Sequence, residues 1–283
     1  MNPSVVDHYT SGPDGSSAGL RDRIAAAIDA LELGNQPLTI DHLAGVSEFH
    51  VGGRAATLDV IEHLGLSSSS HVLDLGSGLG GTARLIASRT GARVTGIDLT
   101  PEFVDVATWL TRLVGLESHA EFHVGSAVDA TGIAAAIDHR PIDAITLLHV
   151  GMNIADKSAL ARAAVSALRP GGRFVIYDIL AGGAGGDVNF PVPWAGDPSM
   201  SHLSASSSYV EALEAAGLAV DLVEDRTAWA IEALSQAPPP TALHLGLVLG
   251  SDARSKVQNL RVGIERGDLA PTLLVSSLRQ STS

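Results

Sequence analysis

Between residues 71 and 179, short apolar, β-branched runs alternate with stretches of helical period, and no other feature constrains the fold as much. Such repeated strand–helix units are the signature of a parallel sheet covered by helices on both faces. The pattern predicts strands over 71–75, 92–97, 120–124, 142–148 and 172–179. Helices are expected to fill the gaps, the strongest over 81–89, 101–114 and 157–168, each bounded by Gly, Pro or a short polar residue suited to a cap. Further on, a helix over 207–216 precedes strands over 219–223 and 272–278 that would close the sheet as a hairpin. Helical segments over 229–234, 242–249 and 252–265 would be inserted between those two strands.

Ahead of this core, residues 1–19 lack periodicity and read as a mobile arm. Leu20, Ile24, Ala27, Ile28 and Leu31 then recur at helical spacing until Gly34, and a second helix runs from 54 to 63. Residues 35–53 read as a mixture of turn residues. Two parts follow: an arm and helical cap over 1–55, and a core over 56–283 with lid insertions near 181–206 and 226–268. The first lid, AGGAGGDVNFPVPWAGDPSM, is too long for a mere connection and suggests a binding loop.

Lys and Arg total 18 against 31 Asp and Glu, a formal charge of −13, which argues against a nucleic-acid partner. The chain has no Cys, so disulfides and thiolate metal sites are excluded. No stretch approaches the roughly 18 apolar residues of a membrane span, and no signal peptide is visible at the start. A cytoplasmic location is the expectation, with homodimerisation left open.

The chemistry concentrates in Val72-Leu73-Asp74-Leu75-Gly76-Ser77-Gly78-Leu79-Gly80-Gly81, set between an expected strand and an expected helix. Glycines allow a sharp turn and a close approach to a ligand, and the helix start that follows offers free N–H groups. Eighteen residues after Gly80, at the end of the next strand, Asp98 can accept both hydroxyls of a ribose. Asp98 could also serve as a helix N-cap ahead of Thr100-Pro101-Glu102. Gly76, Gly78 and Gly81 satisfy the dinucleotide spacing as well, so spacing alone does not choose the nucleoside. Asp74 bears on that choice: a carboxylate there repels a pyrophosphate but tolerates a sulfonium and an amino-acid end.

With VLDLGSGLGG, VTGIDLTPEFVDVA and LRPGGRFVIYDIL, the chain from about residue 40 onward resembles the class I S-adenosylmethionine-dependent methyltransferases. DHLAGVSEFHVGGRAAT, HVGMNIADK and FPVPWA are similar to the bacterial small-molecule branch that includes the sarcosine, dimethylglycine and tocopherol methyltransferases. The resemblance implies an α/β fold, a doubly wound seven-stranded, mostly parallel sheet whose last strand is antiparallel. It also implies S-adenosyl-L-methionine as cofactor and a small-molecule acceptor. On that resemblance Asp74, Gly76, Ser77, Gly78 and Gly80 take the methionine end, Asp98 the ribose and Leu99 the adenine face. Ser126 and Ala127 would contact the adenine edge; many relatives carry Asp where Ser126 stands, and a neutral hydroxyl should bind the exocyclic amine less strongly. His149 and Asn153 would face the methyl group, and Tyr9 would close over the cofactor.

Methyl transfer is an in-line displacement that needs alignment and exclusion of water, and no metal. An oxygen or carbon nucleophile would want a general base, for which His50 and His149 are the candidates, with Glu48 near enough in sequence to orient one of them. His71 and His123 belong to strands and read as structural. Trp194 could face the acceptor or simply pin its loop. His42, His202 and His244 show no metal-ligand spacing. Two alternatives stay open: an NAD(P)-dependent oxidoreductase, which should show a second mononucleotide-binding half, and a cofactor-binding protein that does not methylate.

Overall fold

The computed structural model describes residues 19–236 and 241–279. In chain order it contains α1 (Leu20–Asp29), α2 (Ile40–Ser47), α3 (Gly53–Leu64), β1 (His71–Leu75), α4 (Gly81–Thr90), β2 (Arg93–Asp98) and α5 (Pro101–Leu113). Next come β3 (Ala120–Val124), α6 (Ala130–Ala136), β4 (Ile142–Leu148), α7 (Lys157–Ala167), β5 (Leu168–Ala181), α8 (Ser206–Ala215) and β6 (Leu218–Asp225). The chain closes with α9 (Thr227–Ser235), α10 (Gly246–Leu249), α11 (Ala253–Glu265) and β7 (Leu269–Leu278).

The seven strands lie in the order β3-β2-β1-β4-β5-β7-β6. All neighbours are parallel up to β5, and β7 then runs antiparallel between β5 and β6. The expected doubly wound sheet with an antiparallel ending is therefore the observed one. Strand order reverses at β1, between β2 and β4, and such a switch point opens a crevice at the carboxyl ends of the strands.

Packing explains the apolar runs of the central strands. Leu73 and Leu75 face a cluster completed by Ile145, Leu147, Leu160 and Phe174, whereas Val72 faces Val60, Ile86 and Val94 on the other side. Both faces of β1 are thus covered, which requires a nearly continuous hydrophobic run rather than an alternation. The buried polar member, Asp74, points to the Val72 side and lies in register with Thr146 of β4. Above α5 the cap helices bury Leu20, Ile24, Leu43 and Val46 against Phe103 and Leu110.

Three expectations are corrected. Residues 40–47, read as turns, form α2, because Thr39 and His42 cap its start reciprocally, the Thr39 N–H donating to His42 Nδ1 at 3.1 Å. A side chain at this third helical position is usually Glu or Gln, so the cap was not recognisable in the sequence. The helix expected in the gap between β3 and β4 is α6, whose N-cap Asp129 accepts from the Thr131 N–H at 3.1 Å. The helix expected over 242–249 contracts to the single turn of α10. The strand expected over 172–179 begins already at Leu168, which pairs with Ile142 and ends α7 one residue early.

Candidate active site

The turn from β1 into α4 is anchored to β2, since the Gly76 and Ser77 N–H groups both donate to the Ile97 carbonyl, at 2.7 and 3.0 Å. Gly76 has φ +74°, and a Cβ there would come within 2.2 Å of Val150. The position thus demands glycine both for its backbone and for the passage of the next turn. The Gly78 N–H donates to Asp98 Oδ2 at 2.8 Å, and the Thr100 N–H to Asp98 Oδ1 at 2.9 Å. Turn and carboxylate, expected to act together, are in direct contact. Burial pushes the Asp98 carboxyl up, opposed by the Thr100 and Gly78 N–H groups.

These elements line a cavity of about 790 Å³ at the carboxyl ends of the strands. Asp74 lies on its floor: Oδ1 accepts from the Thr146 hydroxyl at 2.7 Å, while Oδ2 is buried with no partner. Desolvation drives the Asp74 carboxyl from 3.8 to about 7, the Thr146 hydrogen bond opposing and the Asp98 charge assisting. Leu99, Ser126 and Ala127 line the same cavity, as do Gly76, Ser77 and Gly78. Gly80 does not line it; it caps α4 at φ +78°, where a Cβ would meet Phe122 and Arg84 at 2.6 and 2.8 Å.

At the other end, the turn between α2 and α3 brings His50 beside His149 and Tyr177 towards the ends of β4 and β5. His50 is buried, and its Nε2 lies 2.9 Å from both the Gly53 carbonyl and the Thr57 hydroxyl. A carbonyl can only accept, so the partners assign the proton to Nε2 and leave Nδ1 as a bare lone pair. His149, at φ +54° just past β4, turns its ring to within 6.0 Å of the His50 ring, and its Nε2 is buried without a partner. Burial lowers the His50 pKa to about 4, against the Gly53 contact, and lowers that of His149 well below 6.5. Both rings are therefore neutral at physiological pH.

Glu48 meets His50 through the Thr57 hydroxyl, which contacts both. It is buried 3.9 Å from Arg54, its pKa raised to about 7 by desolvation against the pull of Arg54 and Arg84. The amide of Asn153 donates to the Trp194 carbonyl at 2.8 Å and to the Met200 carbonyl at 3.3 Å, so it ties down the 181–206 loop as well as lining the cavity. Trp194 is 1% exposed and donates from its indole N–H to Ser201 at 3.0 Å; it fixes the loop and presents cavity wall. The His71 ring contacts Thr95 within the sheet at 2.8 Å. Tyr9 lies outside the described residues.

Sequence reasoning missed Lys157. Its ammonium is buried and donates to the carbonyls of Gly151 at 2.8 Å and His202 at 2.9 Å, and to that of Ile154. It thereby clasps the turn after β4 to the lid. A cation in the first turn of a helix opposes the helix dipole, and that misfit was the available signal. Phe49, Leu249 and Leu260 also line the cavity unforeseen. Among the described residues no three His, Asp or Glu side chains come together as a metal site, and no helix is long and apolar enough to cross a membrane.

Residues 72–172 match a family model described as a methyltransferase domain. The chain is 33% identical over 152 residues to Methyltransferase GfsG of Streptomyces halstedii, and it spans about half of that relative, 51%, with 54% of its own length. The structure of geranyl diphosphate C-methyltransferase from Streptomyces coelicolor A3(2), in complex with Mg2+, geranyl-S-thiolodiphosphate and S-adenosyl-L-homocysteine, superimposes with a TM-score of 0.63. That likeness has 18% identity and covers 80% of this chain and 76% of that one. The [4+2]-cyclase SpnF superimposes with a TM-score of 0.61 at 18% identity, covering 96% of this chain and all of that one. Residues 72–172 thus resemble a methyltransferase domain, and the fold built around them is the one seen in these solved structures.

Proposed function

We propose that the chain binds S-adenosyl-L-methionine in the 790 Å³ cavity and passes its methyl group to a small-molecule acceptor. The observation that carries this reading is the buried Asp74 oxygen left without a partner on the cavity floor. A buried carboxylate oxygen without a partner is costly, and a positively charged ligand centre supplies what is missing. Asp98 supports the same reading. Its oxygens accept from the Gly78 and Thr100 N–H groups, with the Leu99 N–H and the Thr100 hydroxyl as further donors, and the carboxyl borders the cavity where a ribose hydroxyl would lie. Leu99 and Ala127 offer apolar surface to an adenine, and Ser126 a neutral hydroxyl to its edge.

When bound, the cofactor supplies a methyl carbon made electrophilic by its positive sulfur. The chain's own work is to hold, orient and keep dry. The Gly76–Gly78 backbone and Asp74 fix one end, Asp98 fixes the middle, and the loop secured by Asn153 and Lys157 excludes water. His50 and His149 are the residues placed to receive a proton from the acceptor. The oxidoreductase alternative loses support, because the sheet ends antiparallel where a second mononucleotide-binding half would continue it. The likeness to SpnF favours keeping a second reading, in which the cofactor binds and no methyl group moves.

Calorimetric titration with S-adenosylmethionine and NADH tests the cofactor. Binding of the former with NADH at least a hundredfold weaker is expected; equal or tighter NADH binding overturns the proposal. If S-adenosylhomocysteine never forms with any acceptor offered while the cofactor still binds, the second reading replaces the first.

A further inference from the structure

All 18 Lys and Arg residues of the chain lie within the described residues, and none of them lines the cavity. A diphosphate, phosphate or carboxylate carried into it would meet no cation, and a buried anion without one is strongly disfavoured. The geranyl diphosphate enzyme, of the same fold, holds a diphosphate analogue together with Mg2+; this cavity offers that group no Lys or Arg, and among the described residues no three His, Asp or Glu side chains come together as a metal site. The carboxylates that could attract a cationic acceptor are elsewhere. Asp129 and Asp156 cap α6 and α7 with exposed side chains at the rim, and Asp74 and Asp98 belong to the cofactor end.

The acceptor end has a different character. Met152, Trp194, Leu249 and Leu260 make it apolar; the Asn153 amide there is engaged by the Trp194 and Met200 carbonyls, which leaves the two imidazoles as polar groups with atoms to offer. Their unspent atoms are the bare Nδ1 of His50 and the unpartnered Nε2 of His149. A buried donor or acceptor left unsatisfied costs about 1–3 kcal/mol, which a hydroxyl can remove because it donates and accepts at once. At about 790 Å³ the space lies high in the roughly 300–1,000 Å³ range of small-molecule sites, enough for an apolar body besides the cofactor.

Resting on the methyl-transfer reading above, we propose that the acceptor is an uncharged, mainly apolar molecule that is methylated on a phenol- or enol-type hydroxyl held by the His50–His149 pair. As the acceptor oxygen bonds to the methyl carbon, its O–H bond breaks and the proton passes to the free imidazole nitrogen. The carbon–sulfur electron pair stays on sulfur. One positive charge leaves sulfur and one appears on imidazole, so the net charge of the cavity does not change. That compensation lets histidines that are neutral before the step accept a proton during it.

The test uses three probes that share one apolar body and differ in charge: 2-naphthol, 2-naphthoate and 2-naphthylmethylammonium. Each is titrated by calorimetry against the full chain saturated with S-adenosylhomocysteine, with naphthalene as the apolar reference. The expected result is 2-naphthol binding at least tenfold tighter than either charged probe. His149→Asn, which tolerates the left-handed backbone, and His50→Gln should each weaken 2-naphthol at least fivefold while naphthalene binding is kept. Equal or tighter binding of a charged probe, no binding of any probe, or histidine variants that leave 2-naphthol unaffected overturns the inference. If S-adenosylhomocysteine itself does not bind, it is the underlying methyl-transfer reading that fails.

Discussion

Replacing Asp74 with Asn separates the electrostatic role of this carboxyl from its shape. Asn preserves the acceptor for the Thr146 hydroxyl and cannot ionise. In the folded protein the Asp74 pKa stands at about 7, raised from 3.8 by desolvation. Below 3.8 both folded and unfolded chains carry the proton; between 3.8 and about 7 only the folded chain does. The stabilisation from the neutral form is therefore complete at low pH and is lost as the pH rises through about 7. At ~1.4 kcal/mol per pH unit the full interval is worth about 4 kcal/mol, of which about 3 kcal/mol falls between pH 5 and pH 8.5. Urea denaturation of both proteins at those two pH values measures it. Glu48 and Asp178, also raised to about 7 by burial, give both proteins a common slope that cancels in the comparison. Relative to the natural chain, Asp74→Asn should gain about 3 kcal/mol on going from pH 5 to pH 8.5. It should also lose S-adenosylmethionine affinity and the release of a proton on binding near pH 6.5. Parallel stability curves for the two proteins, or a relative loss at high pH, would refute the assignment.

Three further outcomes follow from the same geometry. Lys157→Met leaves the Gly151 and His202 carbonyls without their donor, and should cost on the order of 2–4 kcal/mol in denaturant melts while raising amide exchange over residues 190–204. Gly76→Ala, strained at φ +74° and driven into Val150, should cost about 2 kcal/mol or more and abolish cofactor binding in calorimetry, with partial recovery of stability on adding Val150→Ala. Leu43→Ala, at a fully buried position between the cap and α5, should lower stability by about 2–5 kcal/mol, read as a shift in the urea midpoint with an unchanged slope.

Features carried by neighbouring residues were legible in the sequence. The glycine turn, Asp98 at a strand end and the antiparallel finish all announce themselves within short windows, because turn chemistry and strand periodicity are local. What the sequence left unsaid depends on contacts across the sheet. The hydrogen bond from Thr146 to Asp74 joins residues 72 positions apart that only the β1–β4 register brings together. The approach of His50 to His149 likewise depends on how α3 packs on β5 and α2 on α4. Closeness in sequence suggested that Glu48 serves a histidine; that the link runs through Thr57, with Arg54 and Arg84 as further neighbours, depends on how α3 folds back on the turn. Trp194 could be seen as important but not as buried, since a Pro-rich stretch carries no period from which to read its inward face.

Leu249 and Leu260 reach the cavity from the excursion between β6 and β7, whose two ends are fastened side by side at the sheet edge. The groups assigned to the cofactor lie on the opposite half of the sheet, around β1 and β2. Substitutions, insertions or deletions within that excursion can accordingly reshape one wall of the acceptor chamber without loosening the opposite half. A lineage carrying this architecture has room to exchange one acceptor for another by editing a tethered appendage while its donor grip stays fixed.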